Sequence, residues 1–238
     1  MPRLLATYRN FSPAILLLAL CLAAPASAEV RITPTPDDGL QPRLVTDAGG
    51  SLHLLYFRKR SESRGVREGN LYYRPYLADA GRFGIPVRVS SQAFALQSYA
   101  INRAAMAVDG SGRVHVLWYV PRDSAFYYSR SNPERTAFEA QRSMVITFAE
   151  GLDAGGDVAA FEDNVAITWG AGDLSREHAR TMFARLSTDG GASFGRETSI
   201  SDPALGACAC CSMAAEYLDD SSLLVAYRSA IDGVGRHM

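Results

Sequence analysis

The sequence predicts an all-β chain, a β-propeller of four-stranded blades, and three observations carry that prediction. Turn residues followed by an apolar, β-branched run ending in an aromatic recur along the chain. A second half-unit repeats behind them at a spacing near 55 residues, and no long stretch carries the period of an amphipathic helix.

The first half-unit occurs four times. Asp47-Ala48-Gly49-Gly50 precedes Ser51 to Tyr56, and Asp109-Gly110-Ser111-Gly112 precedes Arg113 to Trp118, with His53 and His115 at the same place. Glu162-Asp163-Asn164 precedes Val165 to Trp169, and Asp219 to Ser222 precedes Leu223 to Tyr227. Each reads as a hairpin turn and a second strand. In the other half-unit Leu71 to Arg74 leads to Phe83, Phe126 to Arg130 to Phe138, and Met182 to Arg185 to Phe194. Blades are therefore expected over roughly 30–90, 91–145 and 146–205, with half a blade to 238.

Residues 1–28 read as a secretory signal peptide. Arg3 and Arg9 charge its start, Pro13 to Ala24 is apolar but short, and Ala26-Ser27-Ala28 is a small-residue cleavage site. The expected product is one β-propeller domain over 29–238, secreted or periplasmic, with no later stretch apolar enough to span a membrane. Without Arg3 and Arg9, 22 basic residues face 25 acidic ones. That balance excludes the basic footprint of a nucleic-acid or anionic-membrane partner.

Ser187-Thr188-Asp189-Gly190-Gly191-Ala192-Ser193-Phe194 reads as a tight turn closed by its own side chains. Ser187 and Asp189 can bond the local backbone, Gly191 accepts positive φ, and Phe194 plugs the space beneath. In an up-and-down meander this turn joins strands three and four, so it lies opposite the loops joining strands two and three. The turn is expected to be structural, and the other end of the sheets to carry the chemistry.

That other end collects Arg43, Arg58, Arg103, Arg122 and Arg228 as candidate ligand-binding residues. Guanidinium forks suit a carboxylate or other anionic oxygen ligand. The expected partner is thus a glycan or similar anionic small molecule. His178, among the charged residues after Trp169, is a general-base candidate; His53 and His115 are expected to be structural, and Trp118 and Trp169 to be core.

Once Cys21 leaves with the signal peptide, Cys208, Cys210 and Cys211 remain, an odd number. A disulfide within the cluster, Cys210 to Cys211 included, a soft metal ion, and a redox or intermolecular role are the alternatives. The spacing reads as too tight for a tetrahedral knuckle, and no cofactor is expected.

On the Ser187 to Phe194 motif, the chain resembles the sialidase-like, Asp-box (BNR repeat) propellers over essentially all of its mature length. It also resembles, through Ala207 to Ser212 followed by Ala226-Tyr227-Arg228, an exported bacterial subgroup with a Cys-x-Cys-Cys motif. The resemblance implies rings of about six blades, so that three and a half blades would be part of a longer propeller, incomplete at the C-terminus. A four-bladed ring completed by the N-terminal strand is the alternative. It further implies arginines that hold a carboxylate, with Arg43 in the first position and Arg58 or Arg60 in the next, and an acid sought among Glu62 and Glu68. No complete hydrolase site is displayed. A non-catalytic glycan-binding propeller is therefore expected, with an exo-sialidase whose remaining residues lie in a missing C-terminal part as the alternative.

Overall fold

The strands follow from the apolar runs almost residue for residue. A computed structural model describes Val30 and residues 32–60, 68–97, 103–153 and 155–231. The signal-peptide reading over 1–28, with its cleavage after Ala28, lies outside the described residues, as do Glu62, Arg236 and His237. The chain divides into two compact units, Met1–Pro34 and Thr35–Met238, and the sheets belong to the second.

The first sheet holds β1 (Leu40–Thr46), β2 (Leu52–Lys59) and β3 (Glu68–Leu77). Its outer edge is shared by three short pieces that all pair with β3, namely β4 (Arg82–Phe83), β5 (Val87–Arg88) and β6 (Phe94–Ala95). The second sheet is β7 (Ala105–Val108), β8 (Val114–Val120), β9 (Ala125–Arg130) and β10 (Arg142–Ser143). The third is β11 (Asp157–Phe161), β12 (Asn164–Ala171), β13 (Thr181–Ser187) and β14 (Thr198–Ser199). A pair, β15 (Ala214–Tyr217) and β16 (Leu223–Ala226), makes the fourth. All strand pairs are antiparallel. The first sheet runs past the expected boundary at 90, because Phe94–Ala95 returns to pair with Glu68 and Gly69.

The second strand of each of the first three sheets is buried on both faces, which is why its sequence reads as a continuous apolar run rather than an alternation. Leu54 to Phe57, Val114 to Trp118 and Val165 to Trp169 are all buried. Period-two geometry divides β8 between two interfaces. Val114, Val116 and Trp118 pack on Leu55, Phe57, Leu71 and Tyr73 of the first sheet. Leu117, on the opposite face, packs with Val165, Ile167 and Trp169 of the third. Each such side chain contributes about 1.5–3 kcal/mol through burial, so face-to-face stacking of the sheets holds the unit together.

Antiparallel connection gives the sheets two different ends. At one, here called the turn end, lie the connections β1 to β2, β7 to β8, β11 to β12 and β13 to β14. At the other, the open end, lie those joining β2 to β3, β8 to β9 and β12 to β13, together with the segments leading into β7, β11 and β15.

The turn end is closed by local hydrogen bonds. In the first sheet His53 bonds Tyr73 Oη through Nδ1 (2.8 Å) and Asp47 Oδ2 through Nε2 (3.1 Å). The second sheet repeats this with His115, Tyr128 (2.6 Å) and Asp109 (3.0 Å). A carboxylate only accepts, so Nε2–H donates to the aspartate and Nδ1 accepts from the tyrosine hydroxyl. Burial favours that hydroxyl keeping its proton, pushing Tyr73 up to about 12 and Tyr128 above its ordinary value. Asp47 and Asp109 also cap their own turns, accepting from Ser51 N–H (2.8 Å) and Arg113 N–H (2.9 Å). The expectation of structural histidines thus takes a specific form, a bond chain within each sheet.

The third sheet has Ala166 where the others have histidine, and closes differently. Ser187 Oγ donates to Asp189 Oδ1 (2.7 Å) and accepts from Gly191 N–H (2.9 Å), while Ser193 N–H donates to Asp189 Oδ1 (2.9 Å). Gly191 has φ of 75°, and a Cβ there would stand 2.0 Å from Tyr128 Oη. The turn is pressed against the neighbouring sheet, where Arg130 donates to Gly190 O (2.6 Å) and Arg142 to Gly191 O (2.6 Å) and Ala192 O (2.7 Å). Phe194 meets Tyr128 edge-on at 5.1 Å, as Phe138 meets Tyr73 at 5.9 Å. The phenylalanine repeat is therefore a device for docking one sheet on the one before it. Phe83 instead packs on Tyr76 of its own sheet.

Candidate functional site

The innermost strands β1, β7, β11 and β15 surround a channel of about 370 Å³. Its polar lining is Arg43 and Thr46 from β1, Asp47 and Asp109 from the turns, Asp157 and Glu162 flanking β11, and Glu216 and Tyr217 from β15. Arg43 is exposed, and its side chain forms no hydrogen bond or ion pair among the described residues. Asp157 opens β11 and is buried; its Oδ1 accepts from Val158 N–H (3.0 Å) and its Oδ2 from Ala215 N–H (2.9 Å), tying β11 to β15. Burial pushes the Asp157 carboxyl above its ordinary value, against the pull of those two N–H groups and of Arg43.

The other sequence-selected arginines stand at separate places around the open end. Arg58 lies over the Tyr72 ring, 5.7 Å from its centroid. Arg122 lines a second depression with Asp123 and Glu68. Arg103 is exposed just before β7. Arg228 directs Nη1 at Cys211 Sγ (3.7 Å). Only Arg43 among the five lines the axial channel. His178 is exposed in the short turn Glu177–Ala179, and Trp118 and Trp169 are buried as expected.

At the open end, Cys208, Cys210 and Cys211 precede β15, and Arg228 follows β16. The three sulfurs lie within 4.8 Å of one another, with Cys208 to Cys211 at 2.7 Å and Cys208 to Cys210 at 3.6 Å. None of the three is in a disulfide. The backbone carrying them is tied to the β12–β13 connection and to β16. Ala207 N–H donates to Glu177 O (3.0 Å), Ala209 N–H to Glu177 Oε1 (2.8 Å), and Cys208 N–H to Arg228 O (2.9 Å). Burial pushes the Cys208 thiol up to about 12. Burial also acts upward on Cys211, but its bonds to Cys208 and Arg228 outweigh it and leave that thiol below its ordinary value.

Sequence reasoning missed Asp157 and Glu216. A lone acid at the start of a first strand has no motif, and only the convergence of β11 and β15 on the channel singles it out. The sequence left the pairing within the cysteine cluster open, and the structure brings Cys208 and Cys211 nearest to each other.

No family model and no curated protein matches this chain. Solved structures do. One is a protein of unknown function from Dyadobacter fermentans DSM 18053, with TM-score 0.57 and 14% identity over 82% of this chain and 50% of that one. Another is a Penicillium chrysogenum α-L-arabinanase complexed with arabinobiose, with TM-score 0.52 and 10% identity over 82% of this chain and 57% of that one. The chain has a β-propeller fold. It spans between half and three-fifths of the length of these two structures.

The sialidase-like, Asp-box (BNR repeat) family reading, with its Cys-x-Cys-Cys subgroup and exo-sialidase alternative, is corrected by these findings. The propeller likeness runs to an arabinanase, and no family model answers to the motif. The physical reason lies in what eight residues specify. Ser187 to Phe194 encodes a turn that docks one blade on the next, and any propeller of four-stranded blades can use such a turn.

Proposed function

We propose that this propeller binds a neutral oligosaccharide in its axial channel. The observation that carries the reading is the convergence of an unpaired Arg43 guanidinium with Asp157, Glu216 and Tyr217 on one concave, mostly preformed surface. Fixed donors and acceptors around such a pocket suit the hydroxyls of a sugar. Carboxylates outnumber the single arginine there, which favours a neutral glycan over an anionic one. The arabinanase with a similar fold is itself complexed with a neutral disaccharide. Arg58, Arg103 and Arg122 enter the proposal as outer contacts for a longer chain.

Binding is favoured over hydrolysis because both Asp157 oxygens already accept backbone N–H groups, which fits an anchoring carboxylate better than a proton donor. Calorimetric titration with arabino- and xylo-oligosaccharides, with sialyllactose as the anionic comparator, tests the reading. Saturable binding of a neutral oligosaccharide, weakened about 10-fold in Arg43→Ala, is expected for the loss of one charge-assisted donor pair. A folded protein that binds none of the neutral sugars, or binds equally well without Arg43, would overturn it. Release of reducing ends during the titration would replace binding by hydrolysis.

A further inference from the structure

We infer that Cys208, Cys210 and Cys211 form a three-thiolate site for monovalent copper in the segment leading into β15. The inference does not rest on the glycan reading.

Geometry comes first. Sulfurs sharing one ion at a metal–sulfur distance of about 2.3 Å stand roughly 3.8–4.0 Å apart, from elementary trigonal or tetrahedral geometry. The three Sγ atoms are mutually within 4.8 Å, and the pair separations of 2.7 and 3.6 Å bring all three onto one small volume. Binding one ion to all three requires the Cys208–Cys211 pair to open from 2.7 Å. A Cys208–Cys211 disulfide would account for two of these sulfurs and leave the convergence of Cys210 without a role.

The donors are also placed in advance. Glu177 takes the Ala207 and Ala209 N–H groups through its carbonyl and carboxylate, and Arg228 O takes that of Cys208. Gly206, at φ of 58°, is packed so closely on His178 that a Cβ would stand 2.6 Å from the histidine Cα. Little ordering is left for an ion to impose.

Donor number and type then select the ion. Among the described residues no histidine or carboxylate joins the three sulfurs as a fourth ligand. Soft thiolates favour monovalent copper, zinc or iron–sulfur centres, and zinc in a structural site asks for four protein ligands. A set of three thiolates suits monovalent copper, which needs no fourth. Its net negative charge is offset by the Arg228 guanidinium, 3.7 Å from Cys211 Sγ. Cys208 is buried, Cys211 half-buried and Cys210 exposed, so the ion has a solvent-facing donor through which to enter and leave.

Anaerobic titration of the reduced chain with Cu(I), in competition with bathocuproine disulfonate, provides the test. One ion per chain is expected to resist the chelator, to show a three-sulfur shell by X-ray absorption, and to protect all three thiols from Ellman's reagent. Cys208→Ser and Cys211→Ser should each lower the affinity by about 100-fold, at the upper end of what losing even a supporting partner costs. Cys210→Ser, at an exposed position, keeps the test valid if the other two fail to fold, and should lower affinity while leaving the melting temperature unchanged. Surrender of copper to equimolar chelator overturns the proposal. So does preferential retention of zinc, or an unchanged affinity in Cys210→Ser.

Discussion

The two ends of the sheets use the same kinds of residue to opposite effect. At the turn end every aspartate, histidine and hydroxyl named above is consumed by a partner a few residues away or on the neighbouring blade. Asp109 holds His115 and its own turn, and Asp189 holds Ser187 and Ser193. At the open end Asp157 and Glu177 are also held by backbone N–H groups, but other polar groups are left less constrained. The Arg43 side chain forms no hydrogen bond or ion pair among the described residues, and the three cysteines converge without a disulfide. A charged residue in a propeller therefore says little until it is known whether its neighbours have already used it.

Substitutions sharpen that contrast, because damage at the turn end should fall on stability and damage at the open end on ligands. The largest loss is expected for Gly191→Ala, which combines positive φ with a Cβ 2.0 Å from Tyr128 Oη. Strain and overpacking together should cost about 3 kcal/mol or more, read from a denaturant titration. The folded fraction should bind sugar and copper as before. Weakened binding in that fraction would break the distinction between the ends.

Next comes His115→Phe, which strands the Asp109 carboxylate and the Tyr128 hydroxyl and should cost about 2 kcal/mol. The wild-type pH profile carries its own signature. Burial holds His115 below its ordinary value of 6.5 despite the pull of Asp109, so the unfolded chain binds the proton more readily. Stability from this group is full above pH 6.5 and is lost as pH falls from there through the folded value. Melting temperatures measured downward from neutral pH should show that loss in the wild type and not in His115→Phe.

Arg142→Gln removes two bonds to the Gly191 and Ala192 carbonyls and should cost about 1–2 kcal/mol, read in the same denaturant titration. The smallest effect on stability belongs to the open end. Burial raises the folded pKa of Asp157, so its contribution is present below the ordinary value of 3.8 and is lost as pH rises through the raised value. Asp157→Asn should accordingly change the neutral-pH melting temperature little and flatten this part of the acid profile, while reducing sugar binding. A loss of stability as large as that of Gly191→Ala would place Asp157 with the structural residues of the turn end.

Much of the fold was legible because blade construction is local. A hairpin turn, a buried second strand and a third strand lie within one run of the chain, so Asp109 to Arg130 announces itself without reference to anything distant. The candidate site was legible only in part. Arg43 and the cysteines stood out by type, whereas Asp157 and Glu216 did not, since each becomes a channel residue only when β11 and β15 lie side by side. The arginine group illustrates the same limit from the other direction: Arg58, Arg122 and Arg228 share an end of the sheets with Arg43 but not its cavity.

The sequence by itself determined the all-β class and the buried strands, because each follows from residue periodicity and short-range bonding. The tertiary structure alone decided which polar groups are spent and which are free. That question turns on distances between segments about 30 to 60 residues apart in the chain, as when Arg130 and Arg142 reach the turn at Gly190 to Ala192, or Glu177 pins the loop that gathers the three thiols.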